Sequence, residues 1–475
     1  DELSIKSLKD NSKRVNENSL FVAIKGITVD AHNFIGEAIN KGAIAVVGEQ
    51  EPSKEILGKA TYIKVSDSRQ ALGQLASAWN ERPSTKMKVI GVTGTDGKTT
   101  TSNLIWWILN QAEKETGLVS TINAKIGKKT FDTGLHVTNP TSIELQKYLA
   151  IMVKNKCKYA VLEITSHGLA QGRVAGIKFD TAVLTNITHE HLDYHKTFNN
   201  YRMIKSRLFG NVKHAVLNKD DSSFKYIARK AHKAEIISYA HKTEADYRFM
   251  DVNFSSNGSK FSIKNRNTFK NLSSNLIGEY NIYNILAAIS VARIYGCTYK
   301  QIKQALKTFP PLTGRLEEIN TGKKFRVFVD FAHTPNALKN LLATMKLLLP
   351  KNKRIILIFG CAGNRDLLKR PIMGEIAAKY ANKVIVTAED PRKEDLSDIY
   401  SNIISNLTGA AILRRFIRED DRKQAIKIAI NFAKKGDFVV ITGKGHEKSM
   451  CFGEKEYHWS DQEEVSSYLR AQYYK

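Results

Sequence analysis

The segment KVIGVTGTDGKTTTSNLIWWIL, Lys88–Leu109, reads as an apolar strand, a glycine-rich loop and a helix in immediate succession. No other feature constrains the chain as much. Gly94 and Gly97 let the backbone turn tightly and point N–H groups at phosphate oxygens. Lys98 can reach terminal phosphates, and the Thr99 hydroxyl can bind Mg²⁺. The helix that follows presents its positive end to the same anion. Residues Gly94, Thr95, Asp96, Gly97, Lys98, Thr99 and Thr100 are therefore the nucleotide-binding candidates. The spacing is not the usual GxxxxGK[ST], because five residues separate Gly91 from Gly97. A plain surface turn before a helix would use the same glycines; the strand before and the helix after favour phosphate binding.

The loop sits inside a longer α/β rhythm. The 475 residues predict about three domains. In the first, SLFVAIKG reads as a strand, FIGEAINKGAIAVV as helix, glycine stop and strand, and SRQALGQLASAWNERP as a helix ended by Pro83. A boundary near Ser84–Lys88 follows. Strands YAVLEIT and TAVLTNI and the helix NIYNILAAISVARIYG continue the middle segment until Pro310 and Pro311 break the pattern. FRVFVDF, RIILIFG, KVIVTAED and DFVVITG repeat it to the end. The expected division is 1–87, 88–310 and 311–475. Apolar strands separated by helices predict parallel sheets covered on both faces, with ligands at the carboxyl ends of the strands.

Composition excludes other classes. Hydrophobic residues make up 42% and charged residues 25%, an ordinary globular balance. No apolar run approaches the roughly 18 residues of a membrane span, and no signal peptide is expected from the opening DELSIKSLKDNSKR. Cys157, Cys297, Cys361 and Cys451 form no CxxC pair, which fits a reducing cytoplasm. The net charge of +26 raises a nucleic-acid-binding ATPase as an alternative. An enzyme for highly anionic substrates is a second reading and a lysine-rich proteome with many solvated lysines a third; the lysines are dispersed and carry no aromatic RNA-binding signature, so no nucleic-acid partner is expected.

A second region of chemistry is LEITSHGLAQGRVAGIKFDTAVLTNITHEHLDYH, Leu162–His195. Glu163 ends an apolar strand, where a carboxylate can hold Mg²⁺ near Thr99. His167, His189, His191 and His195 cluster here; zinc is one reading, but Mg²⁺ with phosphate prefers carboxylates and water. Asp193 could equally cap a helix.

GTDGKTTT, EITSHGLAQGRV, TNITHEHLDYH, IKSRLF, GEYNIYN, GRLE, VDFAHTPNAL and GKGHE occur in the order found in the Mur ligase family, which the chain resembles over nearly its whole length. The resemblance implies an α/β fold of three domains: a UDP-sugar-binding domain, a central P-loop ATPase and a C-terminal Rossmann-like domain. It implies ATP-driven amide formation in cell-wall peptidoglycan synthesis. The γ-carboxylate of UDP-N-acetylmuramoyl-L-alanyl-D-glutamate becomes an acyl phosphate, and an incoming amino acid displaces phosphate. ATP and Mg²⁺ are the implied cofactors, and a cytoplasmic monomer the implied form. A folylpolyglutamate-type ligase is the alternative within the fold, disfavoured by the nucleotide-sugar-like first domain.

Residue by residue, the resemblance implies that Lys98 contacts phosphate and that Thr99, Glu163, His191 and Lys205 serve the metals. Lys205 would be carbamylated (N6-carboxylysine); by itself it reads as an ordinary helix lysine. Asn281 and Asn284 would lie near adenine, and Arg315 and Asp330 would reach the phosphates and ribose. Ser12 would face uridine, although Lys13 stands beside it where arginine is common. Asn139 and Thr141 in the loop His136–Ser142, with Thr165, Ser166 and Arg173, would face the sugar-peptide.

The incoming amino acid would meet Arg365, Asp390, Arg392, Gly443 and Glu447. Family members that use meso-diaminopimelate usually carry Asp-Asn-Pro-Arg where this chain has Glu389-Asp390-Pro391-Arg392. Arginine grips a carboxylate bidentately, which suits diaminopimelate, and Glu447 could receive its distal ammonium. Asp390 could pair with Arg392 or bind the amine; L-lysine or another amino acid is the alternative substrate.

Overall fold

A computed structural model describes residues 3–26, 29–133, 138–265 and 268–473. His136 and Val137 of the predicted substrate loop lie outside the described residues. The N-terminal unit is a parallel sheet of four strands, Ser7–Lys9, Ser19–Val22, Ala43–Gly48 and Thr61–Lys64, in chain order. The helix Ser68–Trp79 forms where expected. Asp67 caps it by accepting the N–H groups of Arg69 and Gln70, and Glu81 and Arg82 in left-handed backbone (φ 57° and 51°) end it before Pro83. Its Leu72 and Ala76 pack on Leu8, Leu20, Val22 and Val47. Truncating Leu72 to alanine would cost about 2–5 kcal/mol.

The central unit is one sheet of eleven strands. Its middle runs Glu235–Ala240, His214–Asn218, Thr181–Leu184, Lys88–Thr93, Tyr159–Ile164 and Thr116–Val119, all parallel. The helices Lys98–Gln111 and Glu279–Ile294 share a core with this sheet through Leu104, Ile108, Ile285 and Ile289. The wholly parallel expectation fails at both edges. Ala124–Ile126 and Lys129–Phe131 form an antiparallel hairpin, and Tyr247–Ser255, Gly258–Asn265 and Thr268–Ser274 form an antiparallel meander. The meander escaped the sequence reading because its register shifts between Met250 and Asn253, where Asp251 has φ 53°, and the alternation of buried and exposed residues slips phase there.

The third unit has six strands in the order Glu317–Ile319, Arg326–Asp330, Phe438–Thr442, Ile355–Phe359, Lys383–Val386 and Phe416–Arg418. All pair in parallel except the first, an antiparallel edge. Separate apolar clusters cover its two faces. Arg422, fully buried, locks the helix Asp461–Tyr473 onto the sheet through both oxygens of Asp461, at 2.8 Å each, and also donates to Thr442 O at 2.8 Å. No helix is long and apolar enough to cross a membrane among the described residues. All four cysteines are buried and free.

Candidate active site

The loop after Lys88–Thr93 lies at the carboxyl end of the central sheet, where three parallel strands finish together. Glycine is required twice. A Cβ on Gly94 would lie 1.8 Å from Thr185 Oγ1, and one on Gly97 (φ +80°) 2.3 Å from Asn284 Oδ1. The loop is held from below. Thr95 N–H donates to Asn186 O at 2.8 Å, Asp96 N–H to Asn186 Oδ1 at 3.0 Å, and the Lys205 ammonium to Gly94 O at 2.7 Å. Lys98 folds over it and donates to Thr95 O at 2.7 Å. Burial pushes the Lys98 ammonium below its usual range, against the opposing charges of Glu163 and Asp96.

Glu163, at the end of Tyr159–Ile164, is buried. Its Oε1 accepts the Thr99 hydroxyl at 3.0 Å and its Oε2 the Thr121 N–H at 2.9 Å. Arg315, from the third unit, donates to the same Thr99 hydroxyl at 3.0 Å. Asp96 receives Thr334 and Asn336 from the third unit, at 3.1 and 2.7 Å. Asp330 accepts the N–H groups of Leu316 and Ala332 at 2.6 and 2.8 Å. These residues face a cavity of about 920 Å³ lined by Lys98, Thr99, Glu163, His191, Asn281, Asn284, Arg315, Asp330 and Glu447, among others. Thr95, Asp96, Gly97, Thr100 and Thr165 also reach it. Such a volume suits a nucleotide.

Other candidates stand behind this surface. Asn139 Nδ2 donates to Glu163 O at 2.7 Å and its Oδ1 accepts the Thr165 N–H and hydroxyl at 2.9 and 2.8 Å, so it orients the strand end. Arg173 donates to Asn139 O at 2.6 Å. The Ser166 hydroxyl is buried with no hydrogen-bond partner among the described residues. Thr141 occupies a capping box with Glu144 at the start of Ser142–Lys154, a helix-terminus role. Ser12 donates to Glu37 at 3.1 Å, and neither it nor Thr141 lines the cavity.

The histidines do not build a metal centre by themselves: among the described residues no group of three or more His, Cys, Asp or Glu side chains could hold an ion. His191 instead stacks edge-on with His167 at 4.8 Å, and His167 lies beside Tyr194 and His195. The cap of Leu192–His195 is His191 with φ 57°, not Asp193. The donor set of one carboxylate and one hydroxyl beside a phosphate loop fits Mg²⁺, which keeps water and takes phosphate oxygens as its remaining ligands. Lys205 is buried with its ammonium 4.7 Å from the Tyr201 ring centre; burial, and then Lys98, push it well below its usual range.

Arg365, Asp390, Arg392 and Gly443 form a second group outside the cavity lining. Asp390 Oδ1 meets Lys444 Nζ at 2.8 Å and the Cys451 N–H at 3.0 Å. Arg392 (φ 52°) donates to Gly363 O at 2.8 Å. Arg365 stands 3.9 Å from Asp193 of the central unit, and burial and then Arg392 hold it below its usual range. Sequence reasoning missed Thr334, Asn336 and the buried pair Lys369–Glu190, at 3.3 Å, that joins the third unit to the loop before His191. The Glu in THEHLDYH and the Lys in LLKRP carried no signal beyond their charge.

Models of known families match in chain order: "Mur ligase family, catalytic domain" over 4–80, "Mur ligase middle domain" over 92–292 and "Mur ligase, glutamate ligase domain" over 314–445. The UDP-N-acetylmuramoyl-L-alanyl-D-glutamate–2,6-diaminopimelate ligase of Syntrophomonas wolfei is 39% identical over 98% of this chain and 95% of its own. Ligase 1 of the same name from Clostridium acetobutylicum is 36% identical over the same shares. A solved structure of a ligase of that name superposes with TM-score 0.69 at 30% identity, covering 99% of this chain and 96% of its own. The chain belongs to the Mur ligase family of ATP-dependent ligases.

Proposed function

We propose that this chain ligates meso-diaminopimelate to the D-glutamyl γ-carboxylate of UDP-N-acetylmuramoyl-L-alanyl-D-glutamate in peptidoglycan synthesis, in the cytoplasm and as a single chain. The observation that carries the reading is the meeting of Arg315, Thr99 and Glu163 on one hydroxyl at the mouth of the phosphate loop. Residues 88–310 would hold ATP, 311–475 the amino acid and 1–87 the UDP-sugar through Ser12.

A carboxylate is a poor acyl donor, so phosphorylation supplies the leaving group, and the protein's task is to gather anions and neutralise them. Mg²⁺, held by Thr99 and Glu163, would supply positive charge to the transferring phosphoryl group. Lys98 and Arg315 would share that task, while Asn281 and Asn284 would border the base. A carbamate on Lys205, beside His191, would add the anionic oxygens a second ion needs. A low amine pKa supports this, because only the neutral amine attacks CO₂.

For the incoming amino acid, Arg365 and Arg392 favour a substrate with a distal carboxylate. Asp390 is the feature that would favour L-lysine, and its ion pair with Lys444 removes most of that argument. The test is ADP release with the muramoyl-dipeptide and a panel of amino acids. Release with diaminopimelate is expected; release only with a folate and glutamate would sink the reading.

A further inference from the structure

Lys444 follows the strand Phe438–Thr442, and its side chain is 0% exposed. It is the lysine of GKGHE, between the two residues of that motif assigned to the amino acid, Gly443 and Glu447. Left-handed glycines bracket it, Gly443 at φ +105° and Gly445 at φ +53°. A Cβ on the first would lie 2.3 Å from Glu389 Oε2 and one on the second 2.6 Å from Phe331 Cβ, so the backbone turns here in a way only glycine permits. The turn sends the lysine inward. Its ammonium stands 2.8 Å from Asp390 Oδ1 and 2.5 Å from Glu447 Oε2. One buried cation thus holds both carboxylates assigned above to the amino-acid site.

The charge balance of that site depends on it. Arg365, Arg392 and Lys444 oppose Asp390, Glu447 and Asp193 of the central unit, which stands 3.9 Å from Arg365, so the charges balance. Glu389 adds none at neutral pH, because burial keeps its carboxyl protonated up to about 8. The distal end of diaminopimelate carries a carboxylate and an ammonium and is neutral overall. The distal end of L-lysine is a lone ammonium. Without Lys444 the same groups would be net negative and would attract the second far more than the first.

We propose that Lys444 is a specificity-determining residue: by holding Asp390 and Glu447 it keeps the amino-acid site from becoming net negative and so withholds the charge that would favour substrates with a lone distal ammonium. The inference rests on the assignment of Arg365, Asp390, Arg392 and Glu447 to that site. It also explains how an aspartate is tolerated beside Arg392: its charge is cancelled inside the protein.

The test is kcat/KM for meso-diaminopimelate and for L-lysine, measured on the full chain with ATP, Mg²⁺ and the muramoyl-dipeptide. Lys444→Met should move the ratio at least about tenfold toward lysine. Asp390→Asn should move it the opposite way. The double variant removes one cation with one anion and should return within about threefold of wild type. A purely structural role would lower both activities together and leave the ratio alone. Breaking a buried ion pair can prevent folding. If Lys444→Met does not fold, the double variant compared with Asp390→Asn decides, and the same shift toward lysine is expected. An unchanged ratio in that comparison, or a shift toward diaminopimelate, overturns the proposal. A wild type that prefers lysine overturns the diaminopimelate reading instead, while the direction of change on losing Lys444 still tests this one.

Discussion

Arg315 and Thr99 lie 216 positions apart, yet the Arg315 guanidinium donates to the Thr99 hydroxyl at 3.0 Å, and that hydroxyl donates in turn to Glu163. A residue of the third unit therefore reaches the loop of the second that is proposed to hold phosphate. Lys98→Ala and Arg315→Ala should each lower kcat/KM by about two orders of magnitude or more, because each removes a charge aimed at the transferring phosphoryl group. Both should still fold, with thermal unfolding near that of wild type. Steady-state kinetics beside melting curves checks this; near-normal ligation by Lys98→Ala would refute the assignment.

Lys205 is tested by its proposed modification. Lys205→Ala should be almost inactive and should recover partly with millimolar formate or acetate, which restore oxygen ligands. The intact-protein mass under CO₂-retaining conditions should carry one extra carboxylate. Full activity of the variant with unchanged Mg²⁺ dependence contradicts the carbamate.

Glu389 predicts a pH dependence of stability. Burial raises its carboxyl from 4.5 to about 8, and its Oε2 has no hydrogen-bond partner among the described residues. The folded state therefore keeps a proton that the unfolded chain releases. Stability from this group is fully present below about pH 4.5 and is lost as pH rises through about 8. The loss is on the order of a few kcal/mol. Glu389→Gln mimics the neutral acid and should flatten the fall in denaturation midpoint between pH 6 and about pH 8. An unchanged slope means that Glu389 is already ionised in the fold.

Sequence reading works here where chemistry is local. Gly94, Gly97, Lys98 and Thr99 lie within six residues, and the strand before them and helix after them are strongly patterned, so the strand, loop and helix could be placed without coordinates. Glu163 was legible as a polar residue ending an apolar strand. Lys205 was not: on its own it looks like a helix-surface lysine, and only the family resemblance marked it. Lys444, Lys369 and Glu190 were hidden for a further reason. Lys444 pairs with Asp390, 54 positions away, and Lys369 with Glu190, 179 positions away, separations no local pattern encodes. Thr141 illustrates the reverse: a threonine before Ser142–Lys154 with Glu144 three residues on is also the pattern of a capping box, and the structure uses it as one.

Arg392 tests the choice of amino acid. Its guanidinium is the group best suited to a distal carboxylate, and Arg392→Ala should lose most of the preference for meso-diaminopimelate over L-lysine. A desolvated charge-assisted pair is worth about 2–4 kcal/mol, so the ratio of kcat/KM values should fall by at least about thirtyfold. Activity with L-lysine should change far less. Equal losses with both amino acids would place Arg392 in the loop's architecture rather than at the substrate.

The most direct test of the account is ligation by the purified chain supplied with ATP, Mg²⁺, UDP-N-acetylmuramoyl-L-alanyl-D-glutamate and either meso-diaminopimelate or L-lysine, with ADP and the UDP-muramoyl-tripeptide both quantified. One ADP per tripeptide formed, dependence on every component, and a higher kcat/KM for meso-diaminopimelate are expected. No tripeptide with any amino acid contradicts the ligase assignment; a higher kcat/KM for L-lysine contradicts the choice of amino acid and leaves the ligase standing.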